Sequence, residues 1–507
     1  MSIAIARGAH RALLVMAVAL LPPIAASSPT AVGQDVAGGP AAGPERETKN
    51  LGLQRAGNPP MQVRTTEPPA PPAATETFEV RDGFTVVETL EEFRAALRKD
   101  GQKVRMKPGV YRAEGVDPPI DRHQHVFAVT GSNNHFDLRG VVIETPVSVQ
   151  SPLSKRPHVS DTWHLFGDGN TFEGGYFRNV LDRPYPEYSV AENEFEVRGD
   201  DSTFRDCTFV IQGSVPYGYT DYYGKGGPNF GRLNKHGFMS IEGARNTRLI
   251  GCRIFMQSFG HCVHMHGADG VHIEDCLFSG TLRPTDDIYR ERVGRAVDYD
   301  FQAMYRGTRP IPRGQMIPLV EDGIRTYGGD RNVTVIDTTV ERFRGGVQVH
   351  SEGDVTLENV AVLEAGDFAF DVTAGDEGAA VVKDCRADVA YRPVFNLTRG
   401  DTPEDAFYEV TILNPADDVV PTAQANLGVI CGERCTFVLH DGTTRPLPAD
   451  ANRLRCGGRK GLKNSVVKNF TSATLVLDER VRGCRIESVG PVEDRGRDNK
   501  IVRIPPE

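Results

Sequence analysis

The stretch GHCVHMHGADGVHIEDC (260–276) places four histidines, His261, His264, His266 and His272, within twelve residues. Further along, VEDGIRTYGG (320–329) sets Glu321, Asp322, Arg325 and Tyr327 close together. Imidazole binds transition metals and exchanges protons near neutral pH. These residue types admit three chemistries. The H-x-H of His264 and His266 offers two ligands to Zn²⁺, with Glu242, His350 or Asp371 as a third. Paired carboxyls among Glu196, Glu242, Glu321 and Asp322 suit acid and base work across a glycosidic bond. An imidazole base, a phenol and a guanidinium suit proton abstraction beside a carboxylate with loss of a β-oxygen: His264 or His266 as base, Tyr327 as acid or base, Arg325 on the carboxylate.

Which residues share a surface depends on the elements that carry them. The segments HGFMSIEGARNTRLIGCRIF, HCVHMHGADGVHIEDCLF, DGIRTYGGDRNVTVIDTTV and GGVQVHSEGDVTLENVAVL each show an alternating strand, a short turn and a second alternating strand. Gly243 and Gly267 stand 24 residues apart, Val347 and Phe370 stand 23. That period, with two or three short strands per repeat, is the size of one coil of a right-handed parallel β-helix, and the leucine-and-asparagine signature of leucine-rich repeats is missing. The spacing therefore predicts an all-β, single-stranded right-handed parallel β-helix over 79–400, followed by irregular terminal coils and a cap over 401–507.

Strand alternation then sorts the side chains. With the coils aligned on Gly199, Gly243, Gly267 and Gly328, the inward positions are Phe195 and Val197, Met239 and Ile241, Val263 and Met265, Ile324 and Thr326, Val347 and Val349. One outward column reads Glu196, Ser240, His264, Arg325, Gln348, Asp371. Its neighbour reads Arg198, Glu242, His266, Tyr327, His350, Thr373. His264, His266, Arg325 and Tyr327 are expected in one patch, flanked by Glu242 and His350. His272 falls on another face of the coil and His261 at the mouth of the strand, so the four histidines are not expected to form one cluster.

Three coils are enlarged, at 180–190, 213–235 and 281–320, and each insertion leads into a strand of the polar column. Loops leaving one corner of a rigid scaffold can wall a cleft. The second carries Tyr219, Tyr222 and Tyr223, whose flat faces suit sugar rings, and ends at Lys235 and His236. The third carries seven Arg and no Lys; its Arg283 and Arg295 suit forked contacts to carboxylate or sulfate.

Ahead of the repeats, TLEEFRAALRKD (89–100) puts Leu90, Phe93, Ala96 and Leu97 on one helical face, and KVRMKPGVYRAEG reads as strand, Pro-Gly turn and strand. This helix followed by VRMKPGVYR resembles the N-terminal cap and first coil of the exported parallel β-helix enzymes that act on polysaccharides, a group of pectate, alginate and chondroitin lyases, glycan hydrolases, epimerases and fructotransferases. The resemblance spans roughly 80–500 and implies a capping helix and a polysaccharide substrate. It matches no single family's catalytic motif, so it carries over no site residue.

The rest of the chain limits the partners. A net charge of −10 argues against nucleic acid, which needs a basic surface; an anionic substrate would need a local basic groove. Arg7 and Arg11 precede the apolar run ALLVMAVALL, which reads as a signal peptide within 1–33, too short to span a bilayer. The Pro/Ala-rich stretch 34–78 reads as a disordered linker. No transmembrane segment is expected, and the protein is expected outside the cytoplasm, secreted or periplasmic. Of nine cysteines, Cys207, Cys252, Cys276 and Cys385 recur in one context and are expected as a buried stack, while Cys431 and Cys435 are placed for a local disulfide.

The expectation is an exported enzyme cleaving a uronate-containing polysaccharide by β-elimination at the face of His264, His266, Arg325 and Tyr327. Substrate contacts are expected from Arg198, Lys235, His236, His350, Tyr219, Tyr222, Tyr223, Arg283 and Arg295. A hydrolase or fructotransferase using Glu196, Glu242, Glu321 and Asp322 is the alternative, and a non-catalytic glycan-binding surface protein is a second. No cofactor is required by the pattern; Zn²⁺ at the H-x-H, or Ca²⁺ at Asp200–Asp201 or Asp286–Asp287, stays open, as does a monomer or a trimer.

Overall fold

Alternating apolar residues broken at short intervals by Gly, Asn and Asp allow only short strands joined by tight turns. The turn residues act through backbone conformation. At one corner of successive repeats Asp206, Gly251, Asp275, Asp337, Asn359 and Asp384 all adopt positive φ, between 48° and 64°. The next residues, Cys207, Cys252, Cys276, Thr338, Val360 and Cys385, are buried. A left-handed residue reverses the chain, and a small side chain then fits inside the bend.

The computed structural model describes residues 62–73, 78, 81–118, 120, 124–150, 159–180, 182, 192–213, 235–293, 295–298, 300–301, 311, 313–398, 400–419 and 421–506, with short pieces at 48–49, 54–55 and 59. The chain is mostly β, in long parallel sheets consistent with a parallel β-helix. One sheet has thirteen strands in sequence order: β1 (Gln124–Val129), β2 (Val159–Leu165), β3 (Asn193–Val197), β4 (Gly237–Glu242), β5 (Val263–His266), β6 (Ile324–Thr326), β7 (Gly345–Ser351), β8 (Phe368–Ala374), β9 (Phe395–Asn396), β10 (Gly428–Ile430), β11 (Arg453–Cys456), β12 (Thr474–Leu477) and β13 (Val492–Asp494). Between consecutive members the chain contributes short strands to a second sheet, where, for example, Thr203–Arg205 pairs with Arg248–Ile250 and Thr208–Ile211 with Arg253–Met256.

The register follows the alternation of the sequence. Glu196, Ser240, His264, Arg325, Gln348 and Asp371 lie opposite one another from β3 to β8. All ten inward positions are buried. Thr326, the polar one, donates its hydroxyl to the His350 carbonyl at 3.1 Å and accepts the His350 N–H at 2.7 Å. Trp163 of β2 is stacked between Phe127 and Phe195 at 3.9 and 5.5 Å.

α1 (Leu90–Leu97) begins with a capping box: the Thr89 hydroxyl accepts the Glu92 N–H and the Glu92 carboxylate accepts the Thr89 N–H. Its Phe93 packs edge-on to Phe136 and Trp163. Thr89→Ala is expected to cost about 1 kcal/mol, read from urea unfolding, since the cap satisfies otherwise orphaned N–H groups.

Three expectations change. The ladder does not end at 400, because β10–β13 continue the same sheet to Asp494; polar insertions thin the apolar pattern without breaking the stacking. Part of the stretch expected as linker is built in: Arg64–Thr65 pairs antiparallel with Thr281–Leu282, and Arg64 bonds Glu364 and Asp418. All nine cysteines are buried free thiols, so Cys431 and Cys435 form no disulfide. The signal-peptide region lies outside the described residues. Among the described residues no helix is long and apolar enough to cross a membrane.

Candidate active site

The outward columns of β4–β6 and the turn before β5 border an open cleft of about 220 Å³, lined by Glu192, Asn193, Lys235, Gly237, Gly260, His261, His264, His266 and Tyr327. Residues where the three insertions rejoin the sheet border this floor: Glu192, Lys235 and Glu321.

His261 stands at the centre, against the expectation that it lies apart. Alternation does not govern the turn before β5. Cys262 and Val263 both pack inward, which turns His261 to the outer face. Its Nδ1 accepts the Asp322 N–H at 3.2 Å, so in the neutral ring the proton sits on Nε2. That Nε2–H meets the Tyr327 hydroxyl oxygen at 2.6 Å and Glu321 Oε2 at 3.3 Å. The phenol oxygen therefore accepts from His261, and its own proton is free for the cleft. Tyr327 is 46% exposed, and its ring lies parallel to His266 at 4.7 Å with the Arg325 guanidinium 4.6 Å from its centroid. Burial of the hydroxyl end raises its pKa, which keeps it protonated.

Beneath lies a charged network. Arg344 donates to Glu321 at 2.9 Å and to both Asp322 oxygens at 3.1 and 2.8 Å. Lys235 pairs with Glu321 at 2.6 Å and Arg325 with Asp322 at 2.6 Å, the latter also reaching Gln348 at 2.8 Å. Burial would raise the Glu321 pKa, but His261, Arg344 and Lys235 hold it at about 2. Asp322 is depressed further, its burial outweighed by Arg344, His261 and Arg325. Neither carboxyl can donate a proton near neutrality. Asp322, fully buried, is an anchor and is withdrawn as an acid–base residue. Three cations, Lys235, Arg325 and Arg344, gather around these two carboxylates, while Glu192 in the lining and Glu242 beside His266 add negative charge to the rest of the cleft.

The histidines are tuned downward. Burial, with smaller opposing help from Glu321 and Asp322, takes His261 to about 4. Burial and the neighbouring His261 and His266 take His264 to about 3; its Nδ1 is buried with no hydrogen-bond partner among the described residues. Both rings are neutral at pH 7, and a weakly basic His264 is a poor proton acceptor. His266 is the exposed imidazole, with Glu242 3.9 Å from its Nε2, and Glu242 accepts the Ser240 hydroxyl at 2.6 Å. Glu242, His264 and His266 also bring ligand atoms within 4.8 Å of one another.

These depressed values fix a stability trend. The unfolded chain protonates both histidines below about pH 6.5, while the folded chain resists until about 4 and 3. Their contribution is complete above pH 6.5 and shrinks as pH falls through that window. The urea midpoint is expected to drop between pH 7 and 4, and His264→Gln to flatten the drop.

Other expected contacts lie elsewhere. His236 is fully buried against Glu194 at 3.3 Å, behind the sheet surface, and cannot meet substrate. Arg283 is 2% exposed and held by Asp287 and Glu291 at 2.8 and 2.6 Å; the third insertion uses this arginine to fold itself. Arg198 pairs with Glu196 on β3, and His350 faces Asp371 at 3.2 Å on β7–β8, each outside the cleft lining. His272 bonds Glu274 on the second sheet at 2.8 Å. Asp200 pairs with Arg245 and Asp287 with Arg283 and Arg290. Tyr219, Tyr222, Tyr223 and the Arg295 side chain lie outside the described residues. His261 and Arg344 are the members the sequence reading missed. The Asp322–His261 pairing across coils was the available signal for His261; Arg344, in a turn before β7, had none.

No protein-family model matches the chain, and no curated protein does. Among solved structures it is similar to the DFA-IIIase from Arthrobacter chlorophenolicus A6 in complex with GF2, at 13% identity and TM-score 0.38 over 77% of this chain and 87% of that one. It is similar to the Streptococcus pneumoniae surface protein and adhesin PfbA, at 13% and 0.37 over 83% and 94%. A PL6 alginate lyase in complex with a trisaccharide matches at 14% and 0.36 over 82% and 87%. The functional reading below rests on the site.

Proposed function

We propose that the chain is a right-handed parallel β-helix, capped by α1, that cleaves a uronate-containing polysaccharide by β-elimination in this cleft. The observation that carries the reading is the Tyr327 hydroxyl accepting the His261 Nε2–H at 2.6 Å, with Lys235 in the same cleft and the Arg325 guanidinium against the Tyr327 ring. Lys235 and Arg325, 44% and 23% exposed at their side chains, face the uronate carboxylate and stabilise the charge that develops as the adjacent C–H proton leaves. His266 takes that proton. The C–H electrons form the carbon–carbon double bond, the C–O bond to the leaving sugar breaks, and Tyr327 gives its proton to the departing oxygen. Glu242 orients His266, and His261 holds the phenol. His264 serves as a neutral wall, so His264→Gln is expected to change kcat far less than His266→Gln. The ionised state of Glu321 and Asp322 removes these two as the protonated carboxyl that a hydrolytic mechanism needs.

The test is incubation of the purified chain with acidic and neutral polysaccharides, reading ultraviolet absorbance of the new double bond together with reducing ends. Both rising on a uronate polymer is the expected result. Reducing ends without absorbance would replace elimination by hydrolysis, and silence in both across the panel would leave a glycan-binding or transferase role.

A further inference from the structure

A second group of ligating side chains lies on the same sheet, toward its N-terminal end, next to the cleft but made of residues outside its lining. His125 comes from β1, Asp161 and His164 from β2, and one ligand atom from each lies within 4.8 Å of the other two. They are 1%, 2% and 6% exposed. The two imidazole rings are 4.4 Å apart, edge to face, and Phe166 stacks on His164 at 3.9 Å. The two His164 nitrogens face different carboxylates. Nδ1 looks to Asp161 Oδ2 at 3.9 Å, and Nε2 looks to Glu196 Oε1, its register neighbour on β3, at 3.8 Å. Asp161 Oδ1 accepts from Asn193 Nδ2 at 3.2 Å.

Apolar side chains occupy most of this sheet's buried positions. Burying polar groups is costly unless they have partners, and one cation held by all three ligand atoms would partner two imidazoles and a carboxylate at once.

We propose that His125, Asp161 and His164 form a binding site for a divalent transition cation of the Zn²⁺ type, with Glu196 as the outer acceptor for His164 Nε2–H. Two imidazoles and one carboxylate are a zinc-type donor set; a Ca²⁺ or Mg²⁺ site would be built of oxygens. A carboxylate behind the far nitrogen of a ligating histidine fixes its tautomer and raises its basicity, and here Glu196 stands on that side. The ion would tie β1 to β2 and, through Glu196, to β3. This inference is independent of the elimination chemistry, since none of its ligands lines the cleft or takes part in that reaction; only Asn193, which bonds Asp161, borders both.

The test titrates chelator-stripped full chain with Zn²⁺ alone by calorimetry. One equivalent is expected to be retained in His266→Gln and lost in Asp161→Asn and His164→Gln, with Glu196→Gln weakening it by about 10–100-fold. No uptake by the unsubstituted chain overturns the proposal, as does an equivalent lost in His266→Gln and kept in Asp161→Asn. Should a buried substitution unfold the chain, anomalous diffraction at the zinc edge from soaked unsubstituted crystals decides. A peak between His125 and His164 supports the site; no peak, or one only at Glu242, His264 and His266, removes it.

Discussion

Replacing Tyr327 with phenylalanine is expected to lower the kcat for uronate-glycan cleavage by about 10²–10⁴-fold, the usual contribution of a positioned proton donor, with KM little changed. The substitution removes one oxygen and leaves the rest in place. The ring keeps its parallel stack on His266 at 4.7 Å and the guanidinium of Arg325 near its face. His261 Nε2–H, which loses the hydroxyl as acceptor, still has Glu321 Oε2 at 3.3 Å, so no buried donor is orphaned and folding should be unaffected. Steady-state absorbance on the polymer that responds in the panel measures the effect. A rise in KM with unchanged kcat would make Tyr327 a binding residue and remove it from proton transfer.

Arg344→Met is expected to destabilise the fold by about 3–5 kcal/mol, the range for breaking a buried ion pair by removing one partner. Arg344 is 8% exposed and bonds both carboxylates of the floor. Without it, Glu321 keeps only the half-exposed Lys235 and Asp322 only the partly exposed Arg325 as cationic partners, and three buried charge-assisted hydrogen bonds are lost. The pH dependence separates this cause from lost packing. In the native chain both carboxyls titrate below their unfolded values. The stability they contribute is present above about pH 4.5 and lost as pH falls toward 2. In Arg344→Met their pKa values rise, so acidification relieves the loss of that partner. The deficit measured by urea unfolding should be larger at pH 7 than at pH 4. A loss no larger than that of an exposed pair, about 1 kcal/mol or less, would show that Lys235 and Arg325 suffice.

The sequence by itself determined the repeat, the parallel ladder and the register of its outward column from Glu196 to Asp371. A strand's two-residue period is local, so inward and outward positions at Val263–His266 or Ile324–Thr326 can be read without knowing their neighbours. It also determined that His264, His266, Arg325 and Tyr327 share one patch, because once the insertions are set aside the coils stack like strand positions over like. Tertiary structure decided what lies where that period fails. In the turn before β5 it sent Cys262 inward and His261 to the centre of the cleft. It buried His236 against Glu194, and it spent Arg283 on Asp287 and Glu291 inside the third insertion. It also brought Arg344 under Glu321 and Asp322, converting two candidate acids into fixed negative charges. Turn geometry and the pairing of buried charges depend on which groups meet after the coils have stacked, and no spacing along the chain encodes those meetings.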